Sequence, residues 1–325
     1  MNDDESETAA LLGQLKIAPS DAARARSFAK LQQEFAELQA PAQPRSRARW
    51  AIAAGVAALA AAGVSWTTLQ PEVLVAKVEA LDGAVEARGS HWYSRAARLD
   101  AGHSVAAGDS LAVGADAGVL LRVSGDLTVR LAAGSQARVT AADEIELIVG
   151  QVFVDATPGA RAPLRVVTPS GVVTHLGTQY LVRAAHDEVE VAVREGRAQL
   201  TTGKSTTIAA AGHWLLQHAA DPAPLTGELT PADPRFEWIA TLPSEFRLEG
   251  ATLAQFLAWF QRETGLAPVY SEGVDAGNFA HVQLKGSIDD LDPLEALSYV
   301  LATADLAWHR EGAKVIIEKP PAVGG

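Results

Sequence analysis

A chain of 325 residues with 48% hydrophobic and 20% charged side chains has the composition of folded domains, long enough for two or three of them, which excludes a disordered or low-complexity protein. Its formal net charge of −12 argues against a basic footprint, so no nucleic-acid partner is expected. Cysteine is absent, which excludes disulfide staples and thiolate chemistry and leaves stability to packed cores.

Residues 1–49 hold seven basic and seven acidic side chains, so the whole net charge belongs to the rest of the chain. After Pro19, Ser20 is placed to cap a helix running to about Gln39, where Pro41 and Pro44 stop it. Phe28, Leu31, Phe35 and Leu38 recur at spacings of three, four and three and therefore share one face. Leu11, Leu12 and Leu15 are the other apolar cluster of this segment, too small to bury the stripe. The stripe is the candidate partner-binding surface: a cytoplasmic protein, a second copy of the helix or the inner leaflet is expected to cover it.

From Trp50 to Leu69 no charged residue occurs, and the run is close to the roughly 20 residues that an α-helix needs to cross a hydrocarbon core of about 30 Å. Tryptophans at 50 and 66 fit the aromatic belt at the lipid boundary. The pattern predicts a transmembrane helix over 50–69; a buried Ala-rich core helix and a cleaved signal peptide are the alternatives, the latter opposed by the 49 residues ahead of it. Arg45, Arg47 and Arg49 precede the span and Glu72, Lys77 and Glu79 follow it, so the N-terminus is expected in the cytoplasm and the remainder outside it.

Beyond the span the apolar pattern alternates. Strands are predicted within Val73–Val85 and at Val119–Val123, Leu127–Leu131, Ile145–Val149, Val152–Asp155, Leu164–Val167, Gln179–Arg183, Val189–Arg194 and Arg197–Leu200. Ser124-Gly125-Asp126, Gly150-Gln151 and Glu195-Gly196 read as the turns between them. Such a run, residues 71–218, describes an all-β domain: an antiparallel sandwich, a barrel or a β-solenoid-like stack.

In this region Gly102-His103-Ser104, Gly108-Asp109-Ser110, Gly150-Gln151-Val152, Val167-Thr168-Pro169, Leu176-Gly177-Thr178-Gln179-Tyr180 and Val191-Ala192-Val193-Arg194-Glu195-Gly196 follow one another in an order and spacing that resembles the FecR-like domain of membrane-bound sigma-factor regulators, over about residues 99–216. The resemblance implies a periplasmic signalling domain in a single-pass inner-membrane protein that controls an extracytoplasmic-function sigma factor. It also implies a candidate self-cleavage site at Gly177–Thr178, where the Thr178 hydroxyl would attack the preceding carbonyl and water would open the resulting ester. His175 is near in sequence, but in an extended strand it faces away from Thr178. The other reading of the pair is a strand opening.

Pro222, Pro224, Pro231 and Pro234 make residues 219–238 a predicted semi-rigid linker. Over 239–325 two similar units follow. Thr252 and Gln255 form a capping box ahead of a helix striped by Leu253, Phe256, Leu257 and Phe260 and ended by Gly265, with a strand at Leu266–Tyr270. Asp292-Pro293-Leu294-Glu295 starts a second helix whose predicted buried stripe is Leu294, Leu297 and Leu301, followed by strands at Leu306–Arg310 and Lys314–Glu318. Leu248-Glu249-Gly250 and Leu284-Lys285-Gly286 hold matching places before the helices. The segment is similar to the secretin and TonB short N-terminal domain, which implies contact with the signalling domain of an outer-membrane TonB-dependent receptor.

The predicted fold class is therefore multidomain: one transmembrane helix, an all-β FecR-like domain and a small α+β domain of two βαβ-like halves. Eight histidines form neither H-x-H nor H-E-x-x-H, and no P-loop, G-x-S-x-G or G-x-G-x-x-G is present, so no metal, no cofactor and no enzyme activity on an external substrate is expected. The functional expectation is a signal relay from a receptor to a sigma factor; the alternative is an envelope-anchored scaffold or binding protein with no sigma-factor partner.

Overall fold

A computed structural model of the chain describes residues 73–91, 93–124, 127–156, 163–203, 205–289 and 291–320. The expected helix at 20–39 with Phe28, Leu31, Phe35 and Leu38, and the expected span at 50–69, lie outside the described residues. Among the described residues no helix is long and apolar enough to cross a membrane. The described residues form one compact unit.

Its larger part is β-structure: β1 (Leu74–Asp82), β2 (Val85–Arg88), β3 (Ala97–Arg98), β4 (Ser104–Ala106), β5 (Ser110–Val113), β6 (Gly118–Ser124), β7 (Leu127–Leu131) and β8 (Gln136–Ala141). They are followed by β9 (Glu144–Ala156), β10 (Arg165–Thr168), β11 (Gly171–Ala184), β12 (Glu188–Thr202), β13 (Ser205–Ala210), β14 (His213–His218) and β15 (Leu225–Glu228). All fifteen join one hydrogen-bonded, barrel-like sheet. Its pairings make two runs, β4-β1-β6-β7-β9-β11-β12-β14-β15 and β3-β2-β5-β8-β9-β10-β11-β12-β13. A single apolar core, including Val78, Val119, Leu131, Ile145, Val154, Val173, Tyr180 and Val191, is shared by both.

Three long strands belong to both runs and bend from one into the other. Residues 144–149 of β9 pair with β8 and β10, whereas 150–156 pair with β7 and β11. Residues 188–193 of β12 pair with β14 and 197–202 with β13. The changeovers fall at Gly150 (φ 103°) and Gly196 (φ 75°), where strands switch sheets through a bend. A Cβ at Gly150 would meet Ser135 Oγ at 2.4 Å, so that corner accepts only glycine. These glycines were expected to mark reverse turns between separate strands. One residue with positive φ redirects a strand, whereas reversal takes a two-residue loop, so each predicted pair of strands is one bent strand. The opposite correction applies to Val73–Val85, which Gly83 (φ 74°) divides into β1 and β2.

The predicted linker 219–238 is part of the fold. Leu225–Glu228 is β15, hydrogen-bonded to β14, and Pro234–Thr241 is a 3-10 helix capped by Asp233 whose Phe236 and Ile239 are buried on Phe153, Leu181 and Ala192. Its prolines sit where no ladder donor is needed, so they do not hold it away from the sheet.

The remaining elements are α1 (Leu253–Thr264), β16 (Ala267–Tyr270), α2 (Ala276–Ala280), α3 (Pro293–Thr303), β17 (Ala307–Glu311) and β18 (Lys314–Glu318). Both capping boxes form, Thr252 with Gln255 and Asp292 with Glu295, and Gly265 closes α1 in the left-handed region. The two halves share one three-stranded sheet, β16-β18-β17, with β16 parallel and β17 antiparallel to β18. The segments ahead of α1 and α3 are not regular strands. They meet each other instead, through the bridge Thr252–Gln283 and the bonds Gly250 N to Leu284 O and Leu253 N to Val282 O. The module's core is Phe256, Phe260, Leu297, Val300, Leu301, Val315 and Ile317 with their neighbours. Leu294, predicted to be buried, is 36% exposed. It lies in the first turn of α3 and lines an open groove of about 290 Å³ with Ala240, Thr241 and Arg310.

Candidate functional site at the contact of the β domain and the αβ module

Register across the first run puts Leu120, Arg130, Phe153, Leu181, Ala192 and Trp214 in one row, each paired with the next. Their neighbours along each strand, such as Val129, Val152, Val154, Val182 and Val191, point into the core, so the row faces outward. An outward row so apolar has to be covered, and the 3-10 helix with α1 covers it. For that reason Leu127–Leu131 and the last five residues of β9 are buried at every position instead of alternating.

Arg130 is the one charge in the row. Its Nη2 donates to Glu263 Oε2 at 2.6 Å and its Nε to Leu242 O at 2.7 Å, and the Arg130 and Glu263 side chains are each 1% exposed. Ser244 Oγ donates to the second Glu263 oxygen. Burial pushes the Glu263 carboxyl above the ordinary carboxylate range, against the opposing pull of Arg130 and Ser244. Glu263 follows Phe256 and Phe260 along α1 at helical spacing and so occupies the apolar stripe of that helix.

A second group of contacts holds the C-terminal end of α1. Opposite Gln179 and Tyr180 of β11, β12 pairs through Glu195 and Val193, leaving Arg194 as the extra residue of a β-bulge. The bulge turns Arg194 outward, where Nη1 donates to Arg262 O at 3.2 Å and Glu263 O at 3.5 Å. Gln179 Nε2 donates to Arg262 O and to Asp155 Oδ2, both at 3.0 Å. Last-turn carbonyls have no intrahelical donor, so the β domain caps α1 from outside, with a cation at the negative end of the helix dipole. The guanidinium of Arg194 lies 4.5 Å from the ring centre of Phe236 and 5.4 Å from that of Phe153. Burial lowers its pKa to about 10, with Glu263 opposing the shift, so it is charged at neutral pH. In return α1 sends Arg262 into the β domain, with Nε to Asp155 Oδ2 at 3.1 Å, Nη2 to Asp155 Oδ1, and Nη2 to Ala156 O at 3.0 Å.

The Gly177–Thr178 bond lies in β11 between the register points His175–Ala198 and Thr178–Gly196, where the strand changes runs. It is therefore neither a turn nor a strand opening but a corner inside a continuous strand, one residue ahead of Gln179. The partner-binding residues Phe28, Leu31, Phe35 and Leu38 are outside the described residues. Sequence reasoning missed Arg130, Glu263, Arg194 and Asp155. One signal was present: Glu263 sits at a stripe position of α1, where a charge is out of place unless it is paired.

Fold and site together define a β domain with an αβ module fixed to its outer face through buried charges. Residues 109–199, from the start of β5 into β12, match the family described as FecR protein, so this stretch is a FecR domain. Two crystal structures of a candidate anti-sigma factor from Parabacteroides distasonis ATCC 8503 are similar to the chain at 17% identity, covering 65% of it and 99% and 98% of their own chains, each with a TM-score of 0.35. No curated protein matches the chain.

Proposed function

We propose that the chain is a single-pass inner-membrane regulator of the anti-sigma-factor kind. Residues 1–49 would lie in the cytoplasm and hold an extracytoplasmic-function sigma factor on Phe28, Leu31, Phe35 and Leu38. The folded unit would lie in the periplasm and take its signal from the signalling domain of an outer-membrane TonB-dependent receptor, which the αβ module meets.

The FecR domain at 109–199 carries this reading. The uncharged run 50–69, with three arginines before it, supports the orientation. The latch between module and β domain supports the relay, because a force on the module reaches the β domain through buried bonds and not through a slack linker. The regulator also includes the candidate break at Gly177–Thr178: attack of the Thr178 hydroxyl on the Gly177 carbonyl moves the acyl group from nitrogen to oxygen, and water then leaves a Gly177 carboxylate and a free Thr178 amine.

The test is capture of sigma factors from the native host by the membrane-extracted full chain, wild type against Phe28→Asp/Phe35→Asp. Wild type retains one sigma factor and the variant loses it; retention by both, or by neither, rejects the cytoplasmic end of the relay.

A further inference from the structure

Val73 and Leu74, the first described residues, are 66% and 62% exposed. Backbone bonds decide what stands beside them. Leu74 pairs with Ala106 of β4, and Ala107 N donates to Val73 O at 2.9 Å. The next residue, Gly108, lies so close to the loop after β2 that a Cβ on it would be 2.7 Å from the Ser90 Cβ. The chain therefore enters the β domain beside that loop.

The loop carries His91 stacked on Tyr93, with ring centres 5.1 Å apart and planes within 2°, and Tyr93 is 51% exposed. Arg88, which ends β2, and Arg95 are exposed at the same end. Of the carboxylates near this end, Asp109 is half-buried and accepts from Ala106 N at 2.9 Å, and the exposed Glu86 lies two residues before Arg88 on β2. Exposed aliphatic side chains, an aromatic pair with polar tips and two arginines are the groups that settle at a lipid–water boundary, the rings at headgroup level and the guanidinium groups on phosphates.

Chain length sets the distance. Gln70, Pro71 and Glu72 are all that separate Leu69, the end of the expected span, from Val73. Four residue steps reach at most about 14 Å, and the headgroup layer itself extends roughly 5–7 Å beyond the hydrocarbon. Whatever path those residues take, the expected span keeps the entry end of the β domain within reach of the headgroup layer, and the side chains of that end decide whether it rests there.

We propose that the face formed by Val73, Leu74, Arg88, His91, Tyr93 and Arg95 rests on the phospholipid headgroup layer and orients the β domain on the membrane. This rests on the membrane-anchor reading above. Because the chain has no cysteine, one introduced residue can be labelled alone. The full chain, labelled with an environment-sensitive fluorophore at Ser94→Cys or at Thr206→Cys on β13, which ends the second run of strands at the other end from β3, is placed in bilayers of phosphatidylethanolamine and phosphatidylglycerol carrying a headgroup nitroxide. The label at 94 is quenched several-fold more than the label at 206, and His91→Ser/Tyr93→Ser removes most of the difference while the circular dichroism spectrum stays unchanged. Vesicle flotation of the same samples separates the two readings. A chain that floats with both labels quenched alike overturns the docking face and leaves the anchor standing; a chain that does not float overturns both.

Discussion

Arg130 on β7 and Glu263 on α1, 133 residues apart in the sequence, meet at 2.6 Å with both side chains removed from water. Removing one member of such a pair leaves the other buried and uncompensated, at a cost of about 3–5 kcal/mol, while an apolar replacement of both is close to neutral. Arg130→Met is expected to lose stability of this order at pH 8, and Arg130→Met/Glu263→Met to recover most of it, by urea denaturation of the folded unit.

The same pair sets a pH dependence. A carboxyl whose folded pKa lies above its unfolded value favours folding below the ordinary value of 4.5, and that contribution is lost as pH rises through the raised one. Arg130 opposes the rise, so in Arg130→Met it goes further. The deficit of this variant should shrink from pH 8 to pH 5; an equal deficit at both would show that Glu263 does not carry it.

Arg194 is predicted to hold the last turn of α1. Arg194→Met leaves Glu263 O without its outside donor and Arg262 O with Gln179 Nε2 alone, a loss of about 1–3 kcal/mol. Amide exchange around residues 262–266 should accelerate by an order of magnitude or more while the core strands stay protected. Unchanged protection at α1 would remove Arg194 from the latch.

Gly265 tests the approach of α1 to the segment before the 3-10 helix. Its φ of 75° disfavours any side chain, and a Cβ there would lie 2.0 Å from Pro231 O. Gly265→Ala should destabilise the unit by roughly 2 kcal/mol or more, through left-handed strain and overpacking together. A melting temperature equal to wild type would show that Pro231 yields freely.

His309 on β17 contacts Glu318 Oε1 through Nδ1 at 3.0 Å and Glu311 Oε1 through Nε2 at 3.1 Å. The bond to Glu311, then that to Glu318, raises its pKa above the ordinary 6.5. The contribution of this contact is present below 6.5 and fades as pH rises through the raised value. NMR titration should show a raised midpoint that falls in Glu311→Gln; a midpoint indifferent to that change would deny the contact.

A break at Gly177–Thr178 would leave both products in the sheet. Residues 171–174 keep their pairing with β10 and 172–175 theirs with β12, and 179–184 keep theirs with β9 and β12. If mass spectrometry finds a fragment beginning at Thr178, it should co-elute with residues 1–177 on gel filtration and separate only in denaturant. A chain that is always intact rules out the break.

The sequence alone determined the elements whose cause is local. Capping boxes at Thr252 and Asp292, the Gly265 stop and the alternating strands were legible because neighbours within four residues set them. Only the tertiary structure decided what the punctuation meant. Gly150 and Gly196 bend strands without ending them, and the proline-rich segment lies bound to the sheet. It alone also decided the site. Arg130 reads locally as the solvated side of a strand, Arg194 as the residue before a turn, and Glu263 as a charge on the apolar stripe of α1 whose partner no nearby residue supplies. Their charges become a latch only where two distant surfaces exclude water, and burial of that kind is a property of the assembled fold, which no stretch of neighbouring residues encodes.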